Sequence, residues 1–141
     1  MMIRKFLQPG KLSFGADWGM LILRIGVSVL MMTHGFPKFQ KLLAGDFGFA
    51  DPIGLGPGVS LVATTGAEFI LPLLVMIGLC TRLAVLPIIF TMAVVVLVIH
   101  GNDEFSKQES GLLFLIPYLC ILCAGPGKYS LDQKLFKPAR Y

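Results

Sequence analysis

The chain has 141 residues, of which 55% are hydrophobic and only 14% charged, and its mean hydropathy is +0.79. Soluble domains carry about 25% charged residues, so an aqueous globular enzyme, a disordered protein and a nucleic-acid binder all fit this composition poorly. The formal net charge of +4 comes from short basic segments beside long apolar runs, which is the usual placement of charges that anchor a protein at a membrane surface.

Four apolar stretches approach the length of about 20 residues that a membrane-spanning helix needs. Their approximate bounds are 18–36, 59–79, 83–100 and 105–124. The uncharged part of the fourth, Ser110 to Ala124, covers only 15 residues, so we expect this helix to begin near Phe105 and to carry Glu109 inward. The predicted fold class is an all-α membrane protein, with residues 1–141 forming one integral membrane domain, an antiparallel four-transmembrane-helix bundle.

The first span is expected to be retained, because Pro9, Gly10 and Asp17 precede the apolar run and no small-residue cleavage site follows it cleanly. Lys and Arg predict the orientation, since they favour the cytoplasmic side. Eight lie on the side of the termini and the turn at 80–82, and three on the other. The eight are Arg4, Lys5, Lys11, Arg82, Lys128, Lys134, Lys137 and Arg140, and the three are Lys38, Lys41 and Lys107. Both termini are therefore predicted in the cytoplasm.

The longest connection, 37–58, mixes aromatic and aliphatic residues with charges before a stretch rich in Gly and Pro. This pattern suits a short amphipathic helix or folded loop in the outer interface, and a partly ordered loop is an equal alternative. Whether the first helix continues past Pro37 is left open. The tight turn at 80–82 predicts that the second and third spans are antiparallel neighbours.

Two charges lie deep within predicted spans. Arg24 is about six residues, or roughly 9 Å, from the cytoplasmic end of the first span, and Glu68 is about eleven residues, or roughly 16 Å, from that end of the second. Charges in hydrocarbon are expensive and seek a partner or a cavity. We therefore predict an Arg24–Glu68 ion pair inside the bundle, which either serves a site or only fixes the helix register.

Four other polar residues fall at the outer ends of the spans by topology alone. They are His34, Lys38, His100 and Glu109. Together they could bind an anionic or quinone-like head group, pass protons or hold a metal. Metal binding is not expected, because no HxxxH, ExxH or comparable spacing occurs. The alternative is that these are interfacial residues wetted by head-group water.

The three cysteines include a CxxC pair, Cys120 and Cys123, of the form that thiol oxidoreductases use. Like Cys80, however, the pair falls near the predicted cytoplasmic ends of the spans, where thiols are kept reduced. No cation within the span would lower the pKa of these thiols. We interpret all three as small apolar packing residues.

Polar and glycine-containing stretches occur both within the spans and at their ends. They are Arg24 with His34-Gly35-Phe36-Pro37-Lys38, Glu68 through Gly78-Leu79-Cys80-Thr81-Arg82, His100, Glu109, and Gly125-Pro126-Gly127-Lys128-Tyr129-Ser130-Leu131-Asp132. In this order and spacing they resemble the DoxX family of small four-span bacterial membrane proteins, over nearly the whole span region. The resemblance implies a multi-pass protein of the bacterial inner membrane.

What the family implies about activity is a link to redox chemistry. Its name comes from a relative of a subunit of a membrane thiosulfate:quinone oxidoreductase, and other members are linked to oxidative stress and thiol handling. Carried over to this chain, the polar set of the family corresponds to the residues already singled out. They are Arg24, His34, Lys38, Glu68, His100 and Glu109.

These observations favour a redox accessory protein that binds a quinone or similar amphiphile and handles protons. No haem, flavin or dinucleotide motif occurs, so electron transfer would need a bound quinone or a partner redox subunit. A non-enzymatic scaffold or assembly subunit is the alternative. A small-solute carrier is less favoured, because four short spans make a narrow bundle unless the protein forms a homo-oligomer.

Overall fold

The computed structural model describes residues 13–136. Within that range, four helices are long and apolar enough to cross a membrane. They are α1 (Phe14–Leu43), α2 (Pro57–Ile77), α3 (Thr81–Ile99) and α4 (Phe105–Ala124), and a short helix α5 (Leu131–Leu135) follows. Apolar runs become helices in a bilayer because each backbone N–H must then find its acceptor inside the same segment. The predicted all-α, four-helix membrane fold is confirmed.

The two ends of the bundle carry different connections. We call the end with the 44–56 and 100–104 connections the loop face, and the end with the 78–80 turn and α5 the terminal face. Successive helices run in opposite directions between these faces, and α2 packs against α3 beyond their tight turn, as the sequence predicts.

The first helix is longer than its predicted bounds of 18–36. It begins after Ser13, whose hydroxyl accepts a hydrogen bond from the N–H of Ala16, and it continues through Pro37 to Leu43. A proline interrupts a helix less in a membrane protein, where neighbouring helices and polar side chains compensate for the missing N–H. Of the alternatives for 37–58, the separate amphipathic helix does not form: the first part of this stretch extends α1 to Leu43, and 44–56 is a folded loop.

One carboxylate orders the loop between α1 and α2. The Asp51 side chain accepts hydrogen bonds from the N–H groups of Leu55 and Gly56, at 2.9 and 2.8 Å, and from the hydroxyl of Ser60 at 2.8 Å. These bonds lower the pKa of Asp51, with the Ser60 bond contributing most. The loop is thus held against the first turn of α2.

The hydrophobic core lies along the centre of the bundle and includes Met31, Ile88, Tyr118 and Ile121, all fully buried. Among adjacent helices, α1 packs most extensively on α2, and α3 on α4, whereas the seam between α1 and α4 is the least packed. An underpacked seam in a membrane bundle leaves room for a lipid-like molecule to enter from the side.

The segment that follows α4 folds back under the terminal face. The carboxylate of Asp132, fully buried, accepts hydrogen bonds from the N–H groups of Cys80 and Thr81 at 2.6 and 2.9 Å, so it caps the start of α3. The side chain of Asp17, near the start of α1, accepts from the N–H of Lys128 at 2.8 Å. Two buried carboxylates therefore fasten this segment to the bundle.

The predicted Arg24–Glu68 ion pair is wrong. The buried guanidinium of Arg24 donates to the carbonyls of Pro126 and Tyr129, each at 2.7 Å, and Glu68 pairs with a different residue. A guanidinium has five donors and needs several acceptors, which the non-helical segment after α4 supplies through free carbonyls. These acceptors lie after the last span, so the apolar pattern of the spans carries no signal for them.

Candidate functional site

Glu68 lies in a wide turn of α2, Gly66–Ile70, where the backbone has π-helical hydrogen bonding. Such turns are rare and frequently occur at functional sites. The Glu68 side chain is only 5% exposed, and its carboxylate pairs with the ammonium of Lys38 on α1. We call Lys38 and Glu68 the central pair. An ion pair within membrane-spanning helices is costly to bury, so it is the natural starting point of a site.

A glycine brings the two helices together at the level of the central pair. A Cβ on Gly35 would lie 2.5 Å from the carbonyl carbon of Glu68 and 2.8 Å from the nitrogen of Phe69. No side chain fits in that space, so only glycine allows α1 and α2 to approach this closely. Gly35 thereby sets the position at which Lys38, three residues further on, meets Glu68.

A second π-helical turn, Val95–Ile99, ends α3 just before His100. On the neighbouring helix, a Cβ on Gly111 would lie 2.6 Å from the Cγ2 atom of Val96, so α4 also packs closely against this turn. Val95 lines cavities on both sides of the central pair. Both wide turns interrupt regular helix geometry, and residues from each of them line the same two cavities.

The first cavity, the central pocket, has a volume of about 150 Å³. The central pair, His34, Met31 and Phe114 are among the residues that line it. The imidazole of His34 packs edge-on against the ring of Phe114, with centroids 5.2 Å apart. The pocket therefore combines a cation, an anion and an imidazole with apolar walls, a composition suited to a small polar head group.

The second cavity is an apolar groove of about 560 Å³ along the underpacked seam between α1 and α4. Its walls include Gly26, Leu30 and Leu113, and it shares His34 and Phe114 with the central pocket. The groove is wide at Gly26, where a Cβ would meet no atom within 4 Å. A long hydrophobic chain could lie in this groove with its polar end at the central pocket.

The third cavity, the vestibule, has a volume of about 170 Å³ and lies on the other side of the central pair, toward the loop face. His100, Thr64 and Thr91 line it together with the central pair. The Nδ1 atom of His100 lies 2.8 Å from a carboxylate oxygen of Asp103. That hydrogen bond is the largest cause of the lowered pKa of Asp103.

The structure divides the six predicted site residues into three groups. His34, Lys38, Glu68 and His100 line the cavities around the central pair. Arg24 belongs to the terminal face, where it holds the segment after α4. Glu109 is exposed on α4 and lines none of the three cavities described above.

Two features of the site escaped the sequence analysis. Asp103 lies in a polar loop where nothing in the pattern distinguishes it from its neighbours, and only the fold places it on His100. The groove beside Gly26 exists because α1 and α4 pack loosely against each other. The positions of the helices along the sequence do not indicate how closely two of them pack. The proximity of His34 and Lys38, four residues apart, was visible in the sequence, once the helix is known to continue through Pro37.

The three cysteines are free thiols that line none of these cavities. Cys80 is half-buried in the turn after α2, whereas Cys120 and Cys123 are exposed near the end of α4. The interpretation of all three as packing residues is therefore wrong for Cys120 and Cys123. Both project from the outer surface of α4 rather than into the bundle.

The fold and this site define a class: a multi-pass membrane protein whose four-helix bundle encloses an ion pair between cavities. The DoxX family profile matches residues 19–101, which is more than half of the chain, and the chain belongs to the DoxX family. The sequence resemblance is thereby confirmed.

Relatives in three bacteria match along most of their length. The chain is 30% identical to an uncharacterized protein of Haemophilus influenzae, with 82% of this chain and 89% of that protein covered. It is also 30% identical to the inner membrane protein YqjF of Escherichia coli, with 86% and 95% covered. An uncharacterized membrane protein of Mycobacterium tuberculosis is 27% identical, with 84% and 82% covered. No solved structure matches the chain.

Proposed function

We propose that this protein binds a quinone-like or similar small amphiphile from within the membrane, as an accessory subunit of a redox system. The polar head group occupies the central pocket against Lys38, Glu68 and His34. The hydrophobic tail lies in the groove between α1 and α4. Electrons are carried by the bound quinone and a partner redox subunit, because the sequence has no haem, flavin or dinucleotide motif.

One observation carries this proposal: a polar pocket containing an ion pair lies directly beside an apolar groove and shares lining residues with it. The two cavities share His34 and Phe114, so one molecule can occupy both. Binding sites for small molecules are mostly apolar with a few polar groups that fix orientation, and this pair of cavities has that composition. A site for a water-soluble ligand alone would not need a groove of about 560 Å³.

The proposed location is a bacterial inner membrane, in keeping with the name of the Escherichia coli relative, an inner membrane protein. We also propose that both termini are cytoplasmic. Five of the basic residues that create the charge excess lie outside the described residues. They are Arg4, Lys5, Lys11, Lys137 and Arg140.

The test is equilibrium binding of a radiolabelled short-chain ubiquinone to the protein purified in detergent, with mass spectrometry of the same preparation for molecules that copurify. Gly26→Leu fills the groove and is expected to weaken binding at least tenfold. Gly19→Leu is the matched control, because Gly19 is also exposed on α1, a Cβ there would meet no atom within 4 Å, and it lies outside the groove lining.

Equal binding by both glycine variants would contradict the placement of the tail. Absence of ubiquinone binding, together with a preparation from which only phospholipid copurifies, would contradict a quinone-like ligand. Loss of binding in the Gly26 variant alone, with unchanged thermal stability, would support the proposed arrangement.

A scaffold or assembly subunit is the second candidate, and the terminal face favours it. Three buried charges have hydrogen bonds to backbone groups: Arg24, Asp17 and Asp132. Some of the buried charges in this chain therefore stabilise the fold. The scaffold role predicts that substitution of the central pair lowers protein abundance and leaves ubiquinone binding per folded molecule unchanged. A carrier role is less favoured, because one narrow bundle would have to oligomerise to form a path.

A further inference from the structure

The vestibule places a histidine opposite the central pair. His100 lies at the end of α3, on the loop face, and lines the same cavity as Lys38 and Glu68. At about 30 Å³ per molecule, a cavity of this size has room for about five waters. Threonines 64 and 91 add hydroxyl groups to its wall. The cavity is thus polar enough to be wet, which the groove on the other side is not.

Asp103 gives His100 a defined chemistry. A carboxylate on Nδ1, here at 2.8 Å, favours the tautomer with its proton on that nitrogen, and Nε2 then carries the free lone pair. The same carboxylate stabilises the ring when it takes a second proton. Carboxylate–histidine pairs of this kind serve as proton acceptors in many sites. His34, the second histidine, packs against Phe114 on the groove side and has no such described partner.

We propose that the central pair exchanges protons with the aqueous phase at the loop face through His100, with Asp103 as its positioning residue. The source of the proton rests on the proposed function, since it is a hydroxyl of the bound head group in its reduced, quinol form. That hydroxyl gives its proton to the carboxylate of Glu68: the O–H bond of the quinol breaks as the new one forms, and the oxyanion left on the head group is held by the ammonium of Lys38. Glu68 returns the proton to vestibule water, which passes one to Nε2 of His100.

The step ends when His100 releases that proton to bulk water and regains its lone pair on Nε2. One proton has then crossed from the central pocket to the loop face, the central pair is charged again, and no electron has moved in this step. The route requires no conformational change, because the cavities already lie on both sides of Glu68.

The test uses the full chain without added ligand, so it does not depend on ubiquinone binding. The sequence has only two histidines, and their ring signals in a carbon–proton NMR correlation spectrum can be assigned with His34→Asn. The charged groups that face His100 are Lys38 on α1, Glu68 on α2, Asp103 in the loop and, through Asp103, Lys107 on α4.

Electrostatic coupling across the vestibule has a sign that a structural disturbance would not reproduce. Glu68→Gln leaves the Lys38 charge uncompensated and is expected to move the midpoint of the His100 titration to lower pH by several tenths of a unit. Lys38→Gln leaves the Glu68 charge and is expected to move it to higher pH. The double variant is expected to return it close to the wild-type position.

Asp103→Asn tests the positioning role and is expected to move the His100 midpoint to lower pH without moving that of His34. Asp46→Asn is the control, because Asp46 is an exposed carboxylate on the same face with its own lysine partner. Shifts of the same sign in both single variants of the central pair, or no shift in either, would overturn the proposal. If Glu68→Gln does not fold, Lys38→Gln alone tests the proposal: a His100 midpoint at higher pH supports it, and a midpoint that is unchanged or at lower pH overturns it.

Discussion

The two ends of this bundle use buried charges in different ways. At the terminal face, Arg24 and Asp132 form hydrogen bonds with backbone groups of other segments, and Gly78 and Ser130 pack beside the guanidinium. Further toward the loop face, the central pair lies between cavities. A buried charge surrounded by backbone partners holds a fold together, whereas one beside empty space is available to a ligand.

The largest effect is expected at the terminal face. Arg24→Met removes the donors to the carbonyls of Pro126 and Tyr129 and leaves Asp132 without its nearby cation. Breaking a buried polar network of this kind costs about 3–5 kcal/mol of the free energy of unfolding. Thermal unfolding in detergent measures this loss of stability. Lys134→Met, at an exposed position of α5, is the control. A variant as stable as wild type would show that this face is not the structural end of the bundle.

The second prediction concerns the other end. Glu68→Gln is expected to lower the affinity for short-chain ubiquinone about tenfold, or about 1.4 kcal/mol, while costing less stability than Arg24→Met. The stability cost is smaller because the Lys38 side chain, 24% exposed, can turn toward water when its partner is neutral.

Glu109→Gln is the matched control for Glu68→Gln, since Glu109 is exposed and lies outside the lining of the three cavities. If both substitutions lowered affinity equally, the effect would come from net charge and not from the central pocket. If Glu68→Gln destabilised the protein as much as Arg24→Met, the distinction between the two ends would fail.

The contrast also shows what the sequence can reveal. The number and approximate positions of the spans follow from hydropathy, because the bilayer sets their length. The expense of charges in hydrocarbon correctly marks Arg24 and Glu68 as residues that need partners. Which partner each one finds depends on the segment after α4 and on the continuation of α1 through Pro37, and neither is encoded in the apolar pattern.

The cavities were beyond sequence reasoning for a different reason. They depend on two π-helical turns, 66–70 and 95–99, which add a residue to a helical turn without any characteristic composition. They also depend on the close approaches at Gly35 and Gly111. Glycine is frequent in membrane helices, so its presence alone does not indicate where backbones touch.

A smaller effect is expected from acid on the loop that covers the loop face. The folded-state pKa of Asp51 is lowered from 3.8, most of all by its bond with the Ser60 hydroxyl. A lowered pKa means that the stabilisation is complete above the unfolded value and is lost as pH falls through the folded one. Below pH 3.8, the amide hydrogens of Leu55 and Gly56 should therefore exchange faster than the ordinary pH dependence of amide exchange alone explains. In Asp51→Asn this additional increase should be absent, and its persistence would assign it to another group.

The smallest effect is expected from the cysteines. Cys120 and Cys123 are exposed on α4 and line neither end's polar site, so the double substitution to serine should change the unfolding temperature by less than about 1 °C, within the small range of surface substitutions. Ubiquinone affinity should also stay as in wild type. Because serine is close to cysteine in size, a large loss of affinity would mean that the sulfur atoms themselves take part. The redox chemistry would then have to be placed on α4, and the central pair would no longer be the polar group on which ligand binding depends.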